Sequence, residues 1–280
     1  MAGLLKEVWI AGIQENPIPN TSFVLASTDK SEYVENNKLH LAEAGIEPGV
    51  HEDYFDGNED DLPLASITDI PNEVVLKTYS TERTRHRKLQ EVELSYNKRQ
   101  SVIERHKKAL AKNLGARAAY AWTPATTNTY NKVITLGAGS MIDAIIDLEA
   151  FFADLDMLEN LNINLNAAAM AKIKKENKVL YKEILAEGTL YGFKVHRYSK
   201  APFFTSLGVK KPFGSVKEAG DLQACFAWCS DETFRCFGDT EMYETLASAA
   251  TQADELSFAQ RALVGNIRAT TPKYFGAILV

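Results

Sequence analysis

Residues 97–122, NKRQSVIERHKKALAKNLGARAAYAW, constrain the fold more than any other stretch of this chain. Ile103, Leu110, Leu114, Ala118 and Ala121 recur at intervals of seven, four, four and three, which sets them on one stripe of an α-helix. Arg105, Lys108 and Lys112 fall on the opposite side and make the helix basic there. At a rise of ~1.5 Å per residue such a helix runs for about 40 Å, long enough to brace a whole domain. Gly115 is a mild defect within it, and Pro124 marks its stop.

The rest of the chain alternates between extended and helical patterns, which points to an α+β fold. Of its 280 residues 45% are hydrophobic, enough for one substantial core or two modest ones. Residues 1–61 show turn formers and no sustained period, so they read as an extended arm that lies on something, with a short strand at 22–27. PNEVVLKTYST at 71–81 and RKLQEVELSY at 87–96 read as two extended runs around a basic tip, ERTRHR, and hence as a long hairpin. The Thr/Asn/Gly-rich stretch 123–140 reads as a connection between subdomains. A helix follows with Ser140 as N-cap, then a helical stretch over 167–188 broken near Glu176–Asn177 and ended by Gly188. Residues 189–199 read as a strand, DLQACFAWCSDETFRCFGD as two short strands around a turn at Ser230–Asp231, and the last stretch as strands interrupted by Pro272.

Charge is distributed unevenly along this order. The formal net charge is −6, yet residues 1–73 hold 3 Lys/Arg against 15 Asp/Glu, and residues 82–117 hold 11 against 4. An acidic leading segment followed by a basic one suits identical copies that meet head to tail, the basic element of one on the acidic element of the next. The basic segment also admits a nucleic-acid-binding reading, since rows of Lys and Arg neutralise phosphates. The acidic total and the absence of a zinc-finger, basic-zipper or RNA-binding aromatic pattern oppose it.

The motifs of catalysis are missing. GAGS at 137–140 precedes a helix as a phosphate loop would, but Ile142 stands where G-x-G-x-x-G needs its third glycine, and no Walker lysine follows. His40, His51, His86, His106 and His196 show no metal-ligand spacing, and His106 reads as a semi-exposed residue of the long helix. Asp147, Glu149, Asp154 and Asp156 read as a solvated helix face, and Cys225, Cys229 and Cys236 as buried free thiols. Neither an enzyme nor a cofactor or metal is expected. No uncharged apolar run reaches the ~20 residues of a bilayer span, and MAGLLKEVWIAG is interrupted by Lys6 and Glu7, so a cytoplasmic protein is expected.

The order of parts, together with ITDIPNEVVLKTYSTERTRHRKLQEVELSYNKRQSVIERHKKALAKNLGARAAYAWTP at 67–124, resembles the major capsid proteins of tailed bacteriophages. GTLYGFKVHRYSKAPFF and the terminal ALVGNIRATTPKYFGAILV are similar to strand passages of the same family. The resemblance implies the Hong Kong 97-like capsid fold, which encapsulin shells also use. It implies an N-terminal arm over 1–61, an E-loop hairpin over 62–97, and a spine helix of the peripheral domain over 98–124. An axial domain over 125–187 and 221–254 is then interleaved with peripheral strands at 188–220 and 255–280. Implied with it are copies of the chain in hexamers and pentamers, an icosahedral shell around double-stranded DNA read without sequence specificity, and portal, scaffolding and decoration proteins as partners. The shell belongs to the virion and is assembled in the bacterial cytoplasm. The implied contact joins Arg83, Arg85, Arg87 and Lys88 of one copy to carboxylates of the next, Glu52, Asp53, Asp56, Glu59, Asp60 and Asp61. An encapsulin-like compartment and a nucleic-acid-binding protein using 82–117 remain the alternatives.

Overall fold

The computed structural model describes residues 23–43, 50–56, 61, 70–87, 97–247, 252–268 and 271–280. Strands β1 (Thr28–Asp29), β2 (Val34–Glu35), β3 (Lys38–Glu43), β4 (Ile70–Val75), β5 (Lys77–Ser80) and β6 (Thr84–Arg87) precede helix α1 (Asn97–Trp122). There follow β7 (Asn131–Thr135), α2 (Met141–Ala153), β8 (Leu161–Leu165), α3 (Ala167–Glu176), α4 (Lys178–Glu187), β9 (Thr189–Leu190), β10 (Phe193–Arg197) and β11 (Phe203–Phe204). The order closes with β12 (Leu222–Cys229), β13 (Thr233–Thr245), β14 (Ala253–Asn266) and β15 (Phe275–Leu279).

Among the described residues these strands form three sheets. The largest is mixed, in the order β7-β15-β12-β8-β10-β9, with β15 parallel to β7 and β10 parallel to β8. Its centre is buried on both sides, which is why β12 and β15 read as almost unbroken apolar runs rather than alternating ones. Cys225, Ala227 and Cys229 of β12 face a core made with Ile145, Leu148 and Phe152 of α2 and Met170 and Ile173 of α3. Phe226 and Trp228 point the other way and meet Leu114, Ala118 and Trp122 of α1. The second sheet runs β1-β13-β14-β5, with β6 also on β14, and α1 lies across it through Leu110, Met242, Leu256 and Phe258. The third is the hairpin β3–β4 flanked by β2, seated on the second sheet by Leu39, Leu41 and Leu76 against Phe234, Cys236 and Leu263.

Local chemistry accounts for the helix ends. The Ser140 hydroxyl accepts the Asp143 N–H at 3.2 Å and starts α2. Asn177 both ends α3 and starts α4, accepting from the N–H groups of Val179 and Leu180 at 3.0 and 3.1 Å. Gly188 ends α4 at φ +70°, a left-handed conformation that a Cβ disfavours. The expected helix over 97–122, the break at 176–177 and the terminator are thus all found.

Several expectations are corrected. ERTRHR is not the tip of a hairpin: Thr84–Arg87 is a strand that continues the line of β5 along β14, from Thr84 opposite Leu256 to Arg87 opposite Ala253. Of its expected return strand, 87–96, residues 88–96 lie outside the described residues. The described hairpin is instead β3–β4, with Lys38 opposite Val75, Glu43 opposite Ile70, and an ion pair between Lys38 and Glu73. The acidic stretch 52–61 therefore lies in the connection between these two strands. Residues 23–43 lie on their own chain: Phe23 and Val24 are buried in the core, and residues 23–25 form a short 3₁₀ turn rather than a strand. Within the expected connection 123–140, β7 takes an edge of the largest sheet. Of the strands within 188–254, β12 belongs to the largest sheet and β13 to the second, and β10 joins the largest sheet beside β8.

Candidate intersubunit surfaces

The basic segment is partly satisfied within the chain. Because β6 runs beside β14, Arg83 and Arg85 both reach Glu255: Arg83 Nη1 at 3.1 Å, Arg85 Nη2 at 2.7 Å and its Nε at 3.0 Å. The hydrogen bonds from Arg85 hold the Glu255 carboxyl below its ordinary range; burial opposes them, and the charges of Arg83 and Arg85 add smaller help. Arg83 nevertheless leaves most of its side chain in solvent, so this cluster is a surface feature worth little by itself. The Arg87 backbone pairs with Ala253, while the Arg87 side chain and Lys88 lie outside what is described. On the opposite side of β6, the Thr84 hydroxyl and His106 Nε2 stand 3.0 Å apart. His106 is buried against Phe258 rather than semi-exposed, and burial lowers its pKa.

Glu52, Asp53, Asp56 and Asp61 are exposed; Glu59 and Asp60 lie outside the described residues. Among the described residues no ion pair joins residues 52–61 to residues 83–85. Among the described residues, Tyr54 meets the rings of His51 and Phe55 and donates its hydroxyl to the Asp61 carbonyl at 3.1 Å. The second basic surface is the back of α1, where Arg105, Lys108 and Lys112 are exposed as the sequence stripe requires.

The GAGS segment is occupied by the protein itself. Glu176, at the end of α3, reaches the N-terminus of α2 and accepts from Met141 N at 2.9 Å, Ile142 N at 3.2 Å and the Ser140 hydroxyl at 3.0 Å. Burial opposes its charge, but these bonds outweigh it and hold the carboxyl below its usual range. An internal carboxylate thus takes the position a phosphate would occupy. Cys225, Cys229 and Cys236 are buried and free, and burial raises all three thiols, Cys225 and Cys236 to about 12. Among the described residues no cluster of three His, Cys, Asp or Glu side chains is placed to hold a metal ion. Likewise among them, no helix is long and apolar enough to cross a membrane.

Sequence reasoning missed the surface around the end of α1. Lys210 donates to the carbonyls of Tyr120 at 2.7 Å and Thr123 at 2.6 Å, compensating the negative end of the helix, and burial lowers its pKa to about 8. Beside it, Arg117 lies between the rings of Tyr79 and Phe213, at 4.8 and 4.7 Å. Here the chain opens a groove of about 490 Å³ between α1 and residues 199–217. Nothing in the local sequence marks it except the cluster of lysines and prolines in SKAPFF and VKKPFGSVK.

A long helix laid across one sheet, beside a mixed sheet carrying its own helices, is the α+β fold of tailed-phage capsid subunits. Among solved structures the chain is similar to the capsid of the native GTA particle, with a TM-score of 0.65 and 10% identity over 93% of this chain and 90% of that one. It is similar to the capsid of cyanophage P-SCSP1u, with a TM-score of 0.62 and 13% identity over 91% and 86%. A virus-like particle from Pyrococcus furiosus gives 0.59 and 10% over 99% and 98%. No protein-family model matches the sequence, and no curated protein matches it. The Hong Kong 97-like fold implied by the sequence resemblance is borne out; at these identities what is shared is the fold.

Proposed function

We propose that this chain is the major capsid protein of a tailed bacteriophage, one subunit of a self-assembling icosahedral shell that encloses double-stranded DNA. The observation that carries this reading is the breadth of the likeness: about nine-tenths of this chain aligns with about nine-tenths of phage capsid chains. In this reading α1 is the spine helix, the second sheet belongs to the peripheral domain, and the largest sheet with α2–α4 belongs to the axial domain. The hairpin β3–β4, rather than 62–97, takes the place of the E-loop. Copies of the chain in hexamers and pentamers are its main partners, with portal, scaffolding and decoration proteins and DNA as the others. The shell belongs to the virion and is assembled in the host cytoplasm. The chain works as a wall, with neither catalysis nor a cofactor. Exposed ion pairs contribute only ~0–1 kcal/mol each, so many repeated contacts give a strong shell whose errors still dissociate during growth.

Negative-stain microscopy of the purified protein tests the reading. Shells, rings or tubes are expected; a strictly monomeric species at high concentration and in several salts overturns it. The virus-like particle from Pyrococcus furiosus keeps an encapsulin-like compartment as the second reading. That reading requires shells that load a protein cargo instead of DNA. Direct nucleic-acid recognition by 82–117 is disfavoured because Glu255 already offsets Arg83 and Arg85. Tight oligonucleotide binding with a steep salt dependence would restore it.

A further inference from the structure

We propose that the groove at the end of α1 is the receptor for the acidic segment around Phe55 of a second copy of this chain. The inference rests on the shell reading and names the two surfaces that meet. The groove is walled by Tyr120, Pro202, Phe203, Phe213 and Val216, and Lys200 and Lys217 stand on its rim. It is held open before any partner arrives. Phe213 stands edge-on to Tyr120 at 5.6 Å and stacks on the Arg117 guanidinium, while Lys210 ties residue 210 to the last turn of α1. Lys211 is engaged by Asp221 and Glu218 at 2.6 and 2.7 Å, whereas Lys200 and Lys217 form no salt bridge among the described residues. Val216 on the groove wall is 81% exposed.

The acidic segment has the complementary character. Val50 is 97% exposed and Phe55 64%, and Glu52, Asp53 and Asp56 surround them with carboxylates. No residue of 50–56 belongs to an apolar cluster of the described residues. Aromatic side chains seated in well-packed pockets are enriched among the anchors of protein interfaces, and a ring of carboxylates facing two rim ammonium groups fixes the direction. Because the two patches differ, each copy uses one to hold a neighbour and offers the other to the next. Such a head-to-tail contact does not end at a dimer: it closes into a ring where the rotation between copies allows, and otherwise runs on.

The test mixes two forms of the full chain, one carrying Val50→Cys, which leaves Phe55 and the carboxylates in place, and the other Val216→Cys, under mild oxidation. The native thiols are buried and contribute little background. A disulfide-linked dimer is expected from the mixture and from neither form alone. Adding Lys200→Glu and Lys217→Glu to the Val216→Cys form should lower its yield about tenfold. Glu52→Lys, Asp53→Lys and Asp56→Lys in the other form should then restore it. Both positions are exposed, and an unchanged thermal transition in each form shows that folding is intact. Particles without a mixed dimer overturn the groove contact and leave the shell reading standing. A mixed dimer without particles does the reverse, and neither particles nor dimer overturns both. A Val50→Cys/Val216→Cys double variant that closes its disulfide within one chain also refutes the contact between copies.

Discussion

Gly276→Ala measures how closely α2 is laid on the largest sheet. Gly276 sits in β15, paired with Ala227 on one side and Lys132 on the other, beneath Leu148 of α2. A Cβ at this position would stand 2.5 Å from Leu148 Cδ1, 3.0 Å from Cδ2 and 3.1 Å from Cγ. Ordinary carbon contacts begin near ~3.5 Å, so about 1 Å of displacement is required. Leu148 is fully buried within a core that also holds Ile145 and Phe152, so its rotation or retreat disturbs neighbours that are themselves buried. Overpacking of this kind costs about 1–3 kcal/mol. Leu148→Val removes one methylene from the same place and costs about 1 kcal/mol alone, by loss of burial and a small cavity. Made together, the two substitutions relieve each other, and the double variant should be at least about 1 kcal/mol more stable than the sum of the single effects. Urea denaturation of unassembled subunits, read by midpoint at constant slope, gives all four corners of the cycle. A Gly276→Ala variant within about 0.5 kcal/mol of the parent, or strictly additive effects, would refute the argument.

Three further outcomes are expected. Phe23→Ala should cost about 3–5 kcal/mol in the same assay, because Phe23 is buried among Trp122, Tyr198, Phe226 and Trp228; a loss under about 1 kcal/mol would show that this turn is not part of the core. Asn177→Ala should cost about 1 kcal/mol and lower helicity in the far-ultraviolet spectrum, while Asn177→Asp should retain most of the cap. Burial, with Lys194 adding to it, brings His196 down to about 4 in the folded chain. The unfolded chain therefore takes up the proton first as pH falls, and this residue's contribution is complete above about 6.5 and lost progressively toward about 4. His196→Gln should reduce that slope in a pH series of denaturation midpoints, and an unchanged slope would assign it elsewhere.

What could be read from residues alone followed the range of the forces involved. The α1 stripe, the Ser140 and Asn177 caps and the Gly188 terminator are set by neighbours within a few positions, and each appears where its sequence places it. The buried thiols were legible for the same reason, since ACFAWC has no polar residue to turn outward. Sheet membership was not. β12 and β13 are joined by a turn of three residues yet belong to different sheets, because the partners that claim them are β8 and β15 on one side and β14 on the other. The basic run 83–87 looks like a tip when only its charge is considered. It becomes a strand because Glu255 and the open edge of β14 lie opposite, some 170 residues later. The groove beside α1 was invisible because its walls come from two distant stretches, neither of which shows periodicity.

The place of β15 has a bearing on biosynthesis. Residues 275–279 enter between β7 and β12, so once β12 is complete at Cys229 the place between these two strands stays open until Phe275 is made. At ~5–20 residues per second that interval is about 2–9 s, during which a nascent chain on the ribosome carries two bare strand edges. Until the gap is filled, it gives chaperones a target and lets polysome-bound neighbours mispair.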